Sequence, residues 1–242
     1  MSRDAIKYVA MLTMLLNHIS NVFMTSGTFW AECFKDIGYF TMPVMCYFLV
    51  EGYHYTHSKK RYAARLAVFA VISELPFCLA FTKGAVLDFV GMNMIFTLLL
   101  CFAILLVLEF VQRYEVQVVL IVVLTALSLH SDWAVLAPIF TLLFAWAAND
   151  KQKTAYAFLM AMGVFALNSM AVGVDVYPLP MALCWTIGQV AGMALAAVVI
   201  VFCYNGKRMK KGKTFSKWFF YIFYPGHLLP LRSSKRSCHR RN

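Results

Sequence analysis

The stretch GYFTMPVMCYFLVEGYHYTHSKKRYAARLAVFAVISELPFCLAF, residues 38–81, sets two long apolar runs on either side of a short polar turn that contains Lys59, Lys60 and Arg61. A spanning helix needs about 20 mostly apolar residues, because in hydrocarbon every backbone N–H and C=O must be bonded within the helix. The stretch therefore predicts two successive membrane spans, at 37 to 56 and 63 to 82. Working outward, comparable runs occur at 6 to 24, 92 to 112, 115 to 130, 133 to 148, 154 to 171 and 180 to 203, with a shorter aromatic segment at 215 to 231. The composition agrees: 242 residues, 62% hydrophobic and only 14% charged, with mean hydropathy +0.70. Soluble domains average about 45–50% apolar and about 25% charged residues. The expected fold is all-α, a polytopic transmembrane bundle of about eight or nine spanning helices. No linker separates domains, so residues 1–231 read as one integral membrane domain and residues 232–242 as a basic tail. Disorder, collagen-like structure and a secreted disulfide scaffold are excluded.

The first run follows Arg3 and Lys7 in the manner of a signal peptide, but it is too long for an h-region and carries Asn17 and His18 inside it. It reads as a retained helix. The net charge of +11, from 22 basic and 11 acidic residues, reflects topology and not a nucleic-acid partner. With the N-terminus cytoplasmic, the inner side collects Arg3, Lys7, Lys59, Lys60, Arg61, Arg65, Arg113, Lys151, Lys153, Lys207, Arg208, Lys210, Lys211, Lys213 and Lys217. The outer side collects only Lys35 and Lys83 before the last segment. The expectation is a multi-pass membrane protein with its N-terminus cytoplasmic and the bilayer itself as a partner. Residues 215 to 231, rich in Trp218, Phe219, Phe220, Tyr221, Phe223 and Tyr224, either span or lie in a headgroup belt. The cysteines Cys33, Cys46, Cys78, Cys101, Cys184, Cys203 and Cys238 stand singly, without metal-ligand spacing, so no metal is expected.

Ionisable groups inside spans cost several kcal/mol unless they face a cavity or a partner, roughly 3 kcal/mol on insertion scales. His18, after Asn17, falls in the outer half of the first helix, where an imidazole can act as general base or form an interhelical hydrogen bond. Glu51, His54 and His57 close the second span; Arg61, Arg65 and Glu74 follow. Arg61 and Arg65, at i and i+4, share a helix face on which two guanidinium groups can clamp phosphates; as plain positive-inside anchors they would bind nothing. Glu51 and Glu74 require protonation or pairing, and Arg65 is an available partner for one of them. Pro43 and Pro76 free backbone carbonyls within their spans. Asp88 lies in the loop before Asn93 and Thr97, which begin the next helix, and His130, Ser131, Asp132 and Trp133 form an outer turn with a His/Asp pair. Tyr224, Pro225, Gly226 and His227 end the last aromatic segment.

These residues resemble the TraX family of integral membrane acetyltransferases, typified by the enzyme that N-acetylates conjugative pilin. The resemblance rests on Pro43, Phe48, Glu51, Gly52, His54, Thr56, Tyr62, Arg65, Leu66, Ser73, Glu74, Pro76 and Phe77. It extends to His18, the FTLLL run from Phe96 to Leu100, the Asp132 turn and the ending from Tyr224 to Leu229. It implies a TraX-like domain over 1–231 that uses acetyl-CoA as co-substrate and acetylates an amine or hydroxyl on a pilin-like peptide or other surface acceptor. His18, Asn17, Asp132 and His227 are then the catalytic candidates, with His18 as base or transient acyl carrier. Arg61, Arg65, Glu51, His54 and Glu74 are the candidates for holding acetyl-CoA. Three positions depart from the family pattern: Asn17 where Asp is common, Tyr39 where Arg is common and Cys101 where Gly is usual. Two readings without acyl transfer compete: a proton-coupled transporter using Glu51, His54 and Glu74, and a non-catalytic assembly factor.

Overall fold

The computed structural model describes residues 1–82, 89–148, 150–209 and 212–239; of 213, 214, 217 and 232–239 only the backbone is described. Lys83, Asp88, Lys210, Lys211, Arg240 and Arg241, and with them part of the loop and tail readings above, lie outside the described residues. Ten α-helices follow in chain order: α1 (Arg3–Phe23), α2 (Phe29–Gly38), α3 (Thr41–Tyr55), α4 (Lys59–Phe81), α5 (Met94–Phe110), α6 (Tyr114–Leu127), α7 (Leu136–Ala147), α8 (Lys151–Val176), α9 (Leu179–Val198) and α10 (Lys213–His239). A 3-10 turn, Ser128–His130, follows α6, and a π-helical turn, Val199–Cys203, extends α9. Among the described residues the sole β pairing is an isolated parallel bridge between Met92 and Ser131.

The expected runs all appear as helices, with two differences. The short amphipathic α2 precedes the second expected span, which begins at Thr41 instead of residue 37. Tyr224 to His227 do not end the last segment: α10 runs on through both Pro225 and Pro230. Lys59–Phe81, Lys151–Val176 and Leu179–Cys203 are long and apolar enough to cross a membrane. Met94–Phe110, Tyr114–His130 and Leu136–Ala147 are apolar but shorter. The 12 residues of α7 rise only about 18 Å, against a hydrocarbon core of about 30 Å. The outward faces are apolar where a soluble protein would be polar: Val71 on α4 is 76% exposed and Leu167 on α8 75%. This is a membrane protein, with lipid as the solvent of those faces.

The described chain falls into two compact units, residues 1–45 with 146–217 and residues 46–145 with 218–242. In the first, α1 packs on α2, α2 on α9, and α9 on α8. Small residues set these approaches. A Cβ at Gly192 would overlap the carbonyl oxygen of Asp36, one at Gly188 would overlap the Asp36 carboxylate, and one at Gly38 would overlap the Asn17 side chain. Gly188 and Gly192 thus form a small-xxx-small seam that lets α2 lie directly on the α9 backbone. In the second unit α4 packs on α5 and α5 on α6, around Phe48, Phe102, Ile104 and Phe140, all at most 1% exposed. Tyr221 of α10 stacks on Phe69 of α4, with ring centroids 4.9 Å apart, and Phe220, Tyr221 and Tyr224 are buried. Those three therefore pack inward against their own unit.

Candidate functional site

The second unit carries ionisable groups at both ends of α4. At its start, Ser58 caps the helix by accepting the Arg61 N–H at 3.3 Å. Arg61 is exposed, while the Arg65 guanidinium lies over the Tyr62 ring at 5.4 Å and its buried Nε has no hydrogen-bond partner among the described residues. Lys59 and the Tyr53 hydroxyl both donate to the Glu109 carboxylate, closing this end across α3, α4 and α5. Glu109 escaped the sequence reading because nothing within its own helix announces a partner 50 residues earlier. Glu51 is buried on α3, while His54 is exposed beside the turn.

Glu74 does not meet Arg65. Nine positions along α4 correspond to a rise of about 14 Å and half a turn of rotation, so the two side chains leave the helix on opposite sides. Glu74 is held by Asn93: its Oε2 accepts the Asn93 backbone N–H at 3.1 Å and the side-chain Nδ2 at 2.6 Å. Asn93 is wholly buried and uses every polar group it has. Nδ2 also donates to the Ala70 carbonyl at 2.8 Å, and Oδ1 caps α5 by accepting from the N–H groups of Ile95 and Phe96. The Glu74 Oε1 oxygen faces the Cys78 thiol, 3.6 Å away.

Beside this clamp lies the turn that bears Asp132. Met92 donates to the His130 carbonyl at 2.8 Å and accepts from the Asp132 N–H at 2.9 Å, while Thr97 donates to the Asp132 carbonyl at 2.7 Å. Gly91 at φ +128° makes this approach possible, since a Cβ there would stand 3.1 Å from the His130 carbonyl oxygen. Trp133 (φ 59°) and Val135 (φ 60°) both adopt the left-handed region, a strain of about 1–3 kcal/mol each that surrounding contacts must hold. Burial raises the Asp132 carboxyl to about 6, opposed by the Trp133 N–H. His130 is exposed, and among the described residues no hydrogen bond joins its ring to Asp132.

From α10, the fully buried Tyr224 hydroxyl accepts the Met94 N–H at 3.2 Å, tying the third helix into the cluster. His227 follows one turn later, stacked on Phe223 at 4.8 Å between ring centroids. Its Nδ1 stands 2.8 Å from the Phe223 carbonyl, which can only accept, so in the neutral ring Nδ1 carries the proton and Nε2 is the unprotonated nitrogen. That is the tautomer a general base requires. The structure thus gathers Glu74, Asp132 and His227 in one unit with Asn93, Cys78 and Tyr224. A Glu51–His54–Glu74 proton relay lacks such continuity, because Glu74 lies about 22 Å along α4 from the turn beside His54.

His18 and Asn17 belong to the other unit. His18 is buried on α1. Asn17 serves packing: its Nδ2 donates to the Lys35 carbonyl at 3.2 Å and its Oδ1 accepts from Asn21 at 2.9 Å. Ser20 donates to the Ala31 carbonyl at 2.8 Å, and Thr13 pairs with Thr41 at 3.0 Å. Asp36, pressed against α9, has its carboxyl raised to about 6 by burial and by neighbouring Glu32, against the pull of Lys35. Among the described residues no group of three or more metal-ligating side chains is found.

The sequence model of the TraX protein family matches residues 2–233. The probable fimbrial assembly protein FimC, serogroup H1, of Dichelobacter nodosus is 31% identical over 239 residues, covering 95% of this chain and 94% of that protein. No solved structure matches.

Proposed function

Because this chain belongs to the TraX family, we propose that it is a membrane acetyltransferase, moving an acetyl group from cytoplasmic acetyl-CoA to an amine or hydroxyl of a pilin-like peptide or other surface acceptor. The observation that carries this reading is that one unit holds Glu74 in the Asn93 clamp, Asp132 with its carboxyl raised by burial to about 6, and His227 with its Nδ1 against the Phe223 carbonyl. Acyl transfer to an amine or hydroxyl needs a base that removes the acceptor proton as the new bond forms. His227 Nε2 and Asp132 are the bases of this unit, and His18 is a further candidate to be tested by itself. Arg61 and Arg65, at the opposite end of α4, hold the phosphates of the co-substrate, with Arg65 placed by its stacking on Tyr62. With the N-terminus in the cytoplasm of a bacterial inner membrane, that cationic end faces the soluble acetyl-CoA pool.

A second reading is favoured by the name of the Dichelobacter relative: an assembly protein that holds pilus subunits without transferring anything. Purified protein in proteoliposomes, given labelled acetyl-CoA and a pilin-like peptide, separates the two. The transferase reading expects CoA release and labelled peptide, reduced at least tenfold in Arg65→Ala and His227→Ala. Peptide capture with neither CoA binding nor label transfer would leave the assembly reading in its place.

A further inference from the structure

We propose that one end of the first unit, formed by the start of α8 and the chain that follows α9, binds the headgroup of an anionic phospholipid, with an acyl chain laid along the exposed face of α9. The inference stands whether or not the protein transfers acetyl groups. Such a site needs an apolar track that ends at cations held in place. The track is on α9 and its π-helical extension, where Leu195, Val198 and Phe202 are all exposed and follow at intervals of three and four residues, the spacing of one helix face. Phe202 is 74% exposed, and the Lys151 ammonium lies over its ring, 5.7 Å from the centroid, so a cation from the start of α8 marks where the track ends.

The other two cations come from the chain just beyond, which is tied down along its length. The Asn205 N–H donates to the Met1 carbonyl at 3.0 Å, the Arg3 N–H to the Lys207 carbonyl at 2.9 Å and the Met209 N–H to Asp4 Oδ2 at 2.8 Å. Lys207 and Arg208 are thus exposed on a fixed backbone, within six residues of Phe202. The carboxylates of this end are spent internally. Asp4 is 2% exposed and accepts the Ser216 hydroxyl at 2.6 Å through its other oxygen, while Asp150 caps α8 by accepting the N–H groups of Gln152 and Lys153 at 2.8 and 3.0 Å. Among the described residues none of Lys151, Lys207 and Arg208 makes an ion pair, whereas Lys59 of the other unit meets Glu109. Three fixed charges are therefore left for a partner outside the chain, and the track beside them fits a partner with acyl chains. A phosphodiester headgroup supplies the complementary charge. A zwitterionic lipid adds a cation of its own, which the same three residues repel.

The test uses the full-length protein in a neutral detergent, titrated with phosphatidylglycerol or with phosphatidylcholine of the same acyl chains. Bound lipid is counted by native mass spectrometry, and the melting temperature is followed in parallel. The site predicts saturable binding of phosphatidylglycerol and a melting temperature that climbs with its concentration, because a ligand that binds only the folded chain stabilises it. Phosphatidylcholine should do neither. A cation at the headgroup is worth about fivefold in affinity for an anionic lipid, so Lys151→Gln, Lys207→Gln and Arg208→Gln together should weaken binding roughly a hundredfold. Lys151→Arg with Lys207→Arg should retain it, and Arg113→Gln, at an exposed cation of the other unit, should leave it unchanged. Binding that survives the triple exchange, or equal binding of the two lipids, would overturn the site. Displacement of the lipid by glycerol phosphate or inorganic phosphate at equal concentration would show a site for free anions and overturn the lipid assignment.

Discussion

The two units spend their polar residues differently. In the first, Asn17, Ser20, Thr13 and the Ser169–Gln189 pair, 2.7 Å apart, each bond a neighbouring helix, and glycines bring the backbones together. In the second, the buried polar groups include a clamped carboxylate, a strained turn and an imidazole with its Nδ1 held by a backbone carbonyl. Burial raises a carboxyl to about 6 in both units, yet Asp36 is pressed between helix backbones while Asp132 sits on a turn pinned by Met92 and Thr97. Polar residues in a membrane helix thus serve helix packing in one unit and gather around a clamped carboxylate in the other.

The largest expected effect falls on the packing unit. Gly192→Leu drives a side chain into the Asp36 carbonyl and should cost about 3 kcal/mol or more, read as loss of monodisperse protein in detergent. Survival of that variant with an unchanged melting temperature would break the contrast. Next comes Glu74→Ala in the other unit, which strands two donors of buried Asn93 at about 1–3 kcal/mol; Glu74→Gln should recover most of the stability while activity stays low.

Third is pH. Asp36 and Asp132 titrate near 6 in the folded state, against an ordinary value of about 3.9. Between those values the folded chain binds protons the unfolded chain does not, so stability falls as pH rises from about 4 through 6 and then levels. Asp36→Asn should raise the melting temperature at pH 7.5 and leave activity intact. Asp132→Asn should raise it too, but on the proposed transferase reading it should lower acetyl transfer most above pH 6, where the carboxylate is ionised. Equal activity loss in both would erase the distinction between units.

The smallest effect is at Asn17. Asn17→Asp replaces the donor to Lys35 with an acceptor and should cost about 1 kcal/mol in thermal stability. A stabilised, more active variant would show that this position belongs to the chemistry.

Much of the helix layout was legible, because apolar runs of fixed length report spans directly, and Asn93 was placed at a helix start. The clamp it makes on Glu74 was not, since a partner 19 residues away depends on how α4 and α5 pack. Of the two carboxylates that Arg65 could pair with, Glu74 is ruled out by rotation, since the two lie half a turn apart on α4. Tyr224 reads in the sequence as part of a segment's end, but it is an internal tie, because α10 continues past Pro225. The Gly188–Gly192 seam passed unread inside an apolar run, although its spacing is visible in the sequence.

Asn93 has a consequence for how this protein tolerates change. One amide starts α5 and also clamps Glu74, so damage to the carboxylate's holder also unlaces the beginning of a helix. Variation at this residue should surface as missing protein, and, on the proposed transferase reading, a screen for folded but inactive variants should return Asp132 and His227 while passing over Asn93.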